Sequence, residues 1–244
     1  MDRGGVSVQV ISHIPAFETP EVCRSANEQL SASVKAYPTR YAGFACLPIG
    51  DPLAAAAELE YCVREYGFVG ALITNHVQGM YYDGDDFLQF WQKAVDLDIP
   101  MYLHPAPSSP VHVLRFYGSG LFDKIPKLKV VIGHMGEMLP FMIERAEVRM
   151  SSNWGSHTRT FTEVWKENFW ITTSGMWYLA PMACLLRSVA IDRILYSIDY
   201  PLEEITLGGK FLDDLQKNGM VSQHELEMIA YKNAEILLKI KVEI

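Results

Sequence analysis

Val131-Ile132-Gly133-His134-Met135-Gly136-Glu137 is the stretch that decides the fold. Lys129–His134 is a short, nearly continuous apolar run that ends abruptly on an imidazole between two glycines. A run apolar at consecutive positions is how a strand of a parallel sheet covered on both faces reads. A histidine has no place in the middle of such a strand, but at its C-terminal end it can face a cavity. Two other runs end the same way, Met101-Tyr102-Leu103-His104-Pro105 and Tyr196-Ser197-Ile198-Asp199-Tyr200-Pro201. The remaining apolar runs are Val6–Ser12, Tyr41–Pro48, Phe68–Asn75 and Phe169–Thr173.

Amphipathic segments separate the runs. Pro20–Tyr37 has Glu21 in its first turn; Leu53–Tyr66 follows an Asp51-Pro52 start and stops at Gly67. Phe87–Asp98, Leu139–Met150, Ala180–Ala190 and Ser222–Lys239 read as helices of the same kind. Val111–Pro126 and Asn153–Lys166 read as loops or short helices over a mouth. Alternation of strand and helix predicts a parallel α/β fold. A doubly wound sheet would hold these strands, but three features favour a (β/α)8 TIM-barrel-like fold. Polar residues end strands spread across the chain, there is no glycine-rich nucleotide loop, and the strand spacing suits a barrel. Seven strands are visible where a closed barrel has eight, so the expected fold is an incomplete barrel, gapped between the first visible strand and the last. Met1–Gly5 reads as the tail of a helix, as if a first strand and most of a first helix preceded it. No repeat or linker divides the chain, and residues 1–244 read as a single domain.

Composition excludes several partners. With 49% hydrophobic and 20% charged residues the chain is that of an ordinary globular protein. A net charge of -8 argues against nucleic acid or an anionic membrane as the main partner. It does not argue against a small acidic substrate, because a bound metal dominates the local field. Cys23, Cys46, Cys62 and Cys184 form no CxxC pair and read as reduced thiols. No apolar run reaches the roughly 20 residues that span a bilayer, and the N-terminus is no signal peptide. A cytoplasmic protein is the expectation.

Two imidazoles and a carboxylate at strand ends suit a divalent transition metal. Glu137 either orients His134 through its second ring nitrogen or simply begins the next helix. Asp199 either meets a cation or caps a turn before Tyr200-Pro201. Arg145, eleven residues after His134, either reaches a substrate carboxylate or Asp199, or lies on the surface. Asn75 and His76 are candidates for lining the mouth, and His13 is a weaker one. Thr172, Thr173 and Ser174 either contact substrate or close a turn. His112, His157 and His224 are given no role, and Trp91 and Trp165 are assigned to packing.

The runs Tyr102-Leu103-His104-Pro105, Ile132–Glu137 with Leu139-Pro140-Phe141, Thr172-Thr173-Ser174-Gly175 and Ser197–Pro201 together resemble the amidohydrolase-related metal-dependent decarboxylases. Within these the chain is most similar to the 2,3-dihydroxybenzoate, γ-resorcylate and salicylate decarboxylase branch. The resemblance runs from Val6 to the C-terminal helix. It implies a distorted (β/α)8 barrel, with His104 and Asp199 as ligands of Zn2+ or Mn2+. It implies that His134 handles the proton, with Glu137 and Arg145 in support, and that the substrate is a small aromatic carboxylate. Homo-oligomers are expected from it too. In such enzymes a first strand adds two more ligands as an acid-x-His or His-x-His pair, which this chain lacks. The segment between His104 and His134 is shorter than in that branch. Two other readings follow from these departures: a metal-dependent hydrolase of lactones or amides, and a pseudoenzyme that binds an aromatic acid or a homologous subunit without turnover.

Overall fold

A computed structural model describes residues 1–14, 19–106, 108–150 and 153–242. The C-terminal two residues of the expected 1–244 domain lie outside that range. Seven parallel strands form one sheet in sequence order: β1 (Gln9–Ile11), β2 (Tyr41–Ala45), β3 (Gly70–Ile73), β4 (Met101–Leu103), β5 (Val130–Ile132), β6 (Phe169–Thr172) and β7 (Ile194–Leu195). Among the described residues β1 and β7 do not pair with each other, so the sheet curls into a barrel that stays open along one seam.

Between the strands run α1 (Pro20–Ala36), α2 (Pro52–Tyr66), α3 (Leu88–Asp96), α4 (Ser109–Gly118), α5 (Leu121–Lys124), α6 (Leu139–Met150), α7 (Phe161–Asn168) and α8 (Leu179–Ser188). After β7 come α9 (Ile205–Lys217), α10 (Gln223–Glu227) and α11 (Asn233–Leu238). The starts follow local chemistry. The Asp51 carboxylate accepts from the Leu53 and Ala54 amides, both at 3.0 Å, and Pro52 takes the first helical position, where no amide is needed. The Ser222–Glu225 pair forms a reciprocal cap at α10.

Strand residues alternate between two apolar clusters. Ala45, Ile73, Leu103, Ile132 and Ile171 face the helices, together with the buried Trp91 and Trp165. Phe44, Leu72, Tyr102, Val131, Trp170 and Leu195 share the concave face with Leu237 and Leu238 of α11. Period-two alternation thus separates an outer core from an inner one.

Three features depart from the sequence reading. The helix expected over Ser222–Lys239 is interrupted by a π-helical turn at Met228–Lys232. α9 is an additional helix, hidden in the sequence by Gly208-Gly209, since glycine is a poor helix former. Gly208 is there because the Tyr196 phenol presses on it: a Cβ would lie 2.1 Å from that oxygen. Finally, the β7 edge is not bare. The Tyr196 amide donates to the Ile229 carbonyl at 3.0 Å, and Asn233 Nδ2 donates to the carbonyls of Ile191 and Ile194 at 2.7 and 2.8 Å. The C-terminal helical segment therefore occupies the side of β7 where another strand would pair. At the other end of the sheet, the 3-10 turn Asp2–Gly4 packs on α9, with Gly4 closely against Ile205.

Candidate active site

His104, His134 and Asp199 follow β4, β5 and β7 at the C-terminal ends of the strands. The three charges lie within electrostatic reach of one another. Burial holds the His104 imidazole below its ordinary range, against the opposing charge of Asp199. Burial also raises the Asp199 carboxyl, with the charges of His134 and His104 opposing and the Glu203 carboxylate adding to the rise.

Each residue is placed by backbone that the sequence makes unusual. His134, Met135 and Gly136 form a 3-10 turn in the left-handed region, with φ of 49°, 51° and 75°. Such a conformation is costly for non-glycine residues, and it clusters at functional sites. His134 Nδ1 lies 2.7 Å from the Ser174 carbonyl oxygen and 3.3 Å from its hydroxyl. A carbonyl only accepts, so Nδ1 carries the hydrogen and Nε2 is the nitrogen left for chemistry. Gly175 makes this approach possible: a Cβ there would sit 2.8 Å from Nδ1. Asp199 has φ 74°, and its carbonyl accepts from the amides of Leu202 and Glu203.

Neither reading of Glu137 is met in full. Its carboxyl is raised by burial and feels the His134 charge, but His134 Nδ1 is taken by Ser174, and α6 begins only at Leu139. Arg145 is exposed on α6, and among the described residues no ion pair joins it to Asp199. Asn75 is buried and donates to the His104 carbonyl and, at 2.9 Å, to Ser109 Oγ, which accepts from the Ala106 amide. It braces the turn after His104. His76 accepts from the Gly79 amide through Nδ1, within its own loop, and His13 Nε2 bonds the Ala26 carbonyl in α1. His112 is fully buried among Tyr81, Tyr82 and Phe116 and accepts from the Tyr82 amide. His157 pairs with Asp123 at 2.8 Å. Tyr102 and Ser197, absent from the sequence-based site, lie in it. The signal for Tyr102 was its position two residues before His104.

Among the described residues no set of three or more His, Cys, Asp or Glu has metal-holding geometry. His104 and Asp199 offer one imidazole nitrogen and one carboxylate, fewer than the three protein ligands a catalytic zinc usually keeps. The pair fits an ion completed by water and substrate oxygens, as hard divalent cations accept. Two clefts, of about 510 and 340 Å3, lie elsewhere, beside Trp170 and Arg193 at the opposite strand ends and beside Arg40 near the N-terminus. The site proper is a set of converging side chains in the open mouth of the barrel.

A parallel barrel with imidazoles and a carboxylate at its C-terminal strand ends is an enzyme architecture of the metal-assisted kind. The chain belongs to the amidohydrolase family, whose model matches residues 6–240. It is 42% identical over 280 aligned positions to the decarboxylase orsB of Emericella nidulans, covering 100% of this chain and 84% of that protein. That alignment is longer than the chain's own 244 residues, so the relative carries insertions that this chain lacks. The γ-resorcylate decarboxylase of Polaromonas sp. is 35% identical, covering 98% and 85% of the two chains. Among solved structures, 2,6-dihydroxybenzoate decarboxylase from Rhizobium superposes with a TM-score of 0.87 at 32% identity, covering 98% of this chain and 86% of that one. The dihydroxybenzoic acid decarboxylase of Polaromonas sp., holding manganese and the inhibitor 2-nitroresorcinol, gives 0.86 at 34% identity, covering 98% and 83%.

Proposed function

We propose that this chain is a carboxy-lyase that removes the carboxylate of a small hydroxyaromatic acid without oxidation. One observation carries the reading: His104, His134 and Asp199 meet at the strand ends of a barrel whose relatives at 35–42% identity are named decarboxylases. His104 and Asp199 would hold Mn2+ or Zn2+. When bound, the ion supplies a Lewis acid and a template for the carboxylate and the neighbouring phenolic oxygen. His134 is turned by Ser174 so that Nε2 faces the substrate. In the reaction His134, carrying a hydrogen on both ring nitrogens, would give its Nε2 proton to the ring carbon bearing the carboxylate and be left with the Nδ1 hydrogen that Ser174 holds. The carbon–carbon bond then breaks, its electron pair returns to the ring, and carbon dioxide leaves. Asp199, half-buried and within electrostatic reach of both imidazoles, holds the charge balance of the pair. Glu137 supports the charge on His134, and Arg145 would meet the substrate carboxylate only by folding in from the α6 surface.

We also assign the chain to a single barrel domain, expected to form homo-oligomers and to work in the cytoplasm. A second reading has its own support: two protein ligands favour a barrel that binds the aromatic acid without turning it over. Purified protein supplied with Mn2+ and offered 2-hydroxybenzoates and lactones separates the readings. Carbon dioxide release from a hydroxybenzoate is the expected outcome. Binding without release favours the non-catalytic barrel, and lactone opening favours a hydrolase.

A further inference from the structure

We infer that Tyr102 is a positioning residue of this site, holding His104, His134 and Asp199 in one arrangement through a layer of hydroxyls beneath them. The inference rests on the site described above, and the reaction assigned to it is a separate question. Tyr102 lies on the concave face of β4, and His104, two residues on, follows the strand at its C-terminal end. The Tyr102 phenol reaches across β5 to β6, where it lies 2.9 Å from Thr172 Oγ1. It passes β5 at its C-terminal end, over Gly133. A Cβ at 133 would lie 3.0 Å from the phenol oxygen and 2.2 Å from Pro105 Cγ, so only glycine leaves room for both.

The layer continues from there. The Ser174 and Ser197 hydroxyls and the Asp199 carboxylate are within electrostatic reach of the phenol. Ser174 holds His134 Nδ1 through its carbonyl and hydroxyl. Ser197 Oγ accepts from the Ser174 amide at 3.2 Å. Thr173 Oγ1 accepts from the Ser197 amide and donates to the Ser197 carbonyl, both at 3.2 Å. These side chains carry the β6–β7 pairing past the two-residue β7 and so set where Asp199 starts. Thr172, Thr173 and Ser174 are all buried. A tyrosine with one buried partner is ordinarily a packing residue. This one bonds Thr172, whose next two residues hold the Ser197 backbone through Thr173 and His134 through Ser174, and it is two positions from His104.

Tyr102→Phe in the full chain is the test, read by nitrogen-edited NMR of the imidazoles. His134→Ala assigns the His134 signal. In the unchanged protein the His134 Nδ1–H should exchange slowly, being held by Ser174. In Tyr102→Phe its exchange should quicken by about tenfold or more, while the thermal midpoint moves by only a few degrees. If turnover of a hydroxybenzoate is measurable, kcat should fall about ten- to a hundredfold with KM nearly constant, as expected from a small misplacement of reacting groups. Thr172→Val removes the phenol's partner and should reproduce the NMR change, which keeps the test open if Tyr102→Phe folds poorly. An unchanged His134 exchange rate in both variants overturns the inference, whatever the rate of turnover does. Absence of turnover in the unchanged protein, with the NMR change present, instead counts against the proposed reaction.

Discussion

At the residue scale, His134 is the most constrained side chain of the site. Its backbone is left-handed, its Nδ1 is held by Ser174, and Gly175 leaves the space for that contact. His134→Ala should leave the fold intact, because the hydrogen bond it removes is at the open mouth. Turnover should fall by on the order of a hundred- to ten-thousandfold, the usual size of general acid–base catalysis. Near-normal turnover would move the proton-transfer role to Asp199. His112 supplies a pH prediction. Burial, with the charges of Arg115 and His76 adding to it, pushes its imidazole from 6.5 down to about 3. Between those values the unfolded chain binds a proton that the folded protein does not. Stability tied to His112 is therefore complete above about pH 6.5 and is lost as the pH falls, by at most about 1.4 kcal/mol per unit. His112→Phe should cost roughly 1–3 kcal/mol at neutral pH, since the Tyr82 amide loses its acceptor. In exchange, its denaturation midpoint should fall less steeply between pH 6.5 and 4. Parallel pH profiles for variant and parent would show that His112 is not the group responsible.

At the element scale, the decisive feature is how β7 is finished. Two residues of strand are too few to hold a sheet edge. The π-helical turn and α11 supply the missing partners through Ile229 and Asn233. Asn233→Ala would leave the buried Ile194 carbonyl without its donor, while the Ile191 carbonyl still accepts from the Ile194 amide. A loss of about 1–3 kcal/mol in urea unfolding is expected. Asp199 follows this strand, so binding of an aromatic acid should weaken along with stability. A loss below about 0.5 kcal/mol would mean that water replaces the amide at no cost.

At the scale of the whole molecule, the sheet is open along the seam between β1 and β7. The sheet ends at β1 on one side and at β7 on the other, and the two proposed metal ligands, His104 and Asp199, follow β4 and β7. Dialysis against a chelator should strip Mn2+ or Zn2+ from the protein. Elemental analysis should then find well under one equivalent. One equivalent surviving that dialysis would require a further ligand, with His134 or Glu203 the first candidates.

The sequence alone determined the strand count, the parallel strand–helix pattern and the placement of His104, His134 and Asp199 at strand ends. Those signals are local: near-continuous apolar runs, helix boundaries marked by residues such as Asp51 and Gly67, and a polar residue just after β4 and β5. Tertiary structure alone decided the rest. α9 is a helix despite Gly208-Gly209 because Tyr196 needs the space. β7 survives at two residues because a distant helix bonds its edge. The nitrogen that His134 presents is set by Ser174, forty residues away, and Arg145 is left on the outer surface by the turn of α6. A hydrogen bond between side chains far apart in the chain has no periodicity to reveal it. Its partners are chosen only when the sheet curls and brings the strand ends together.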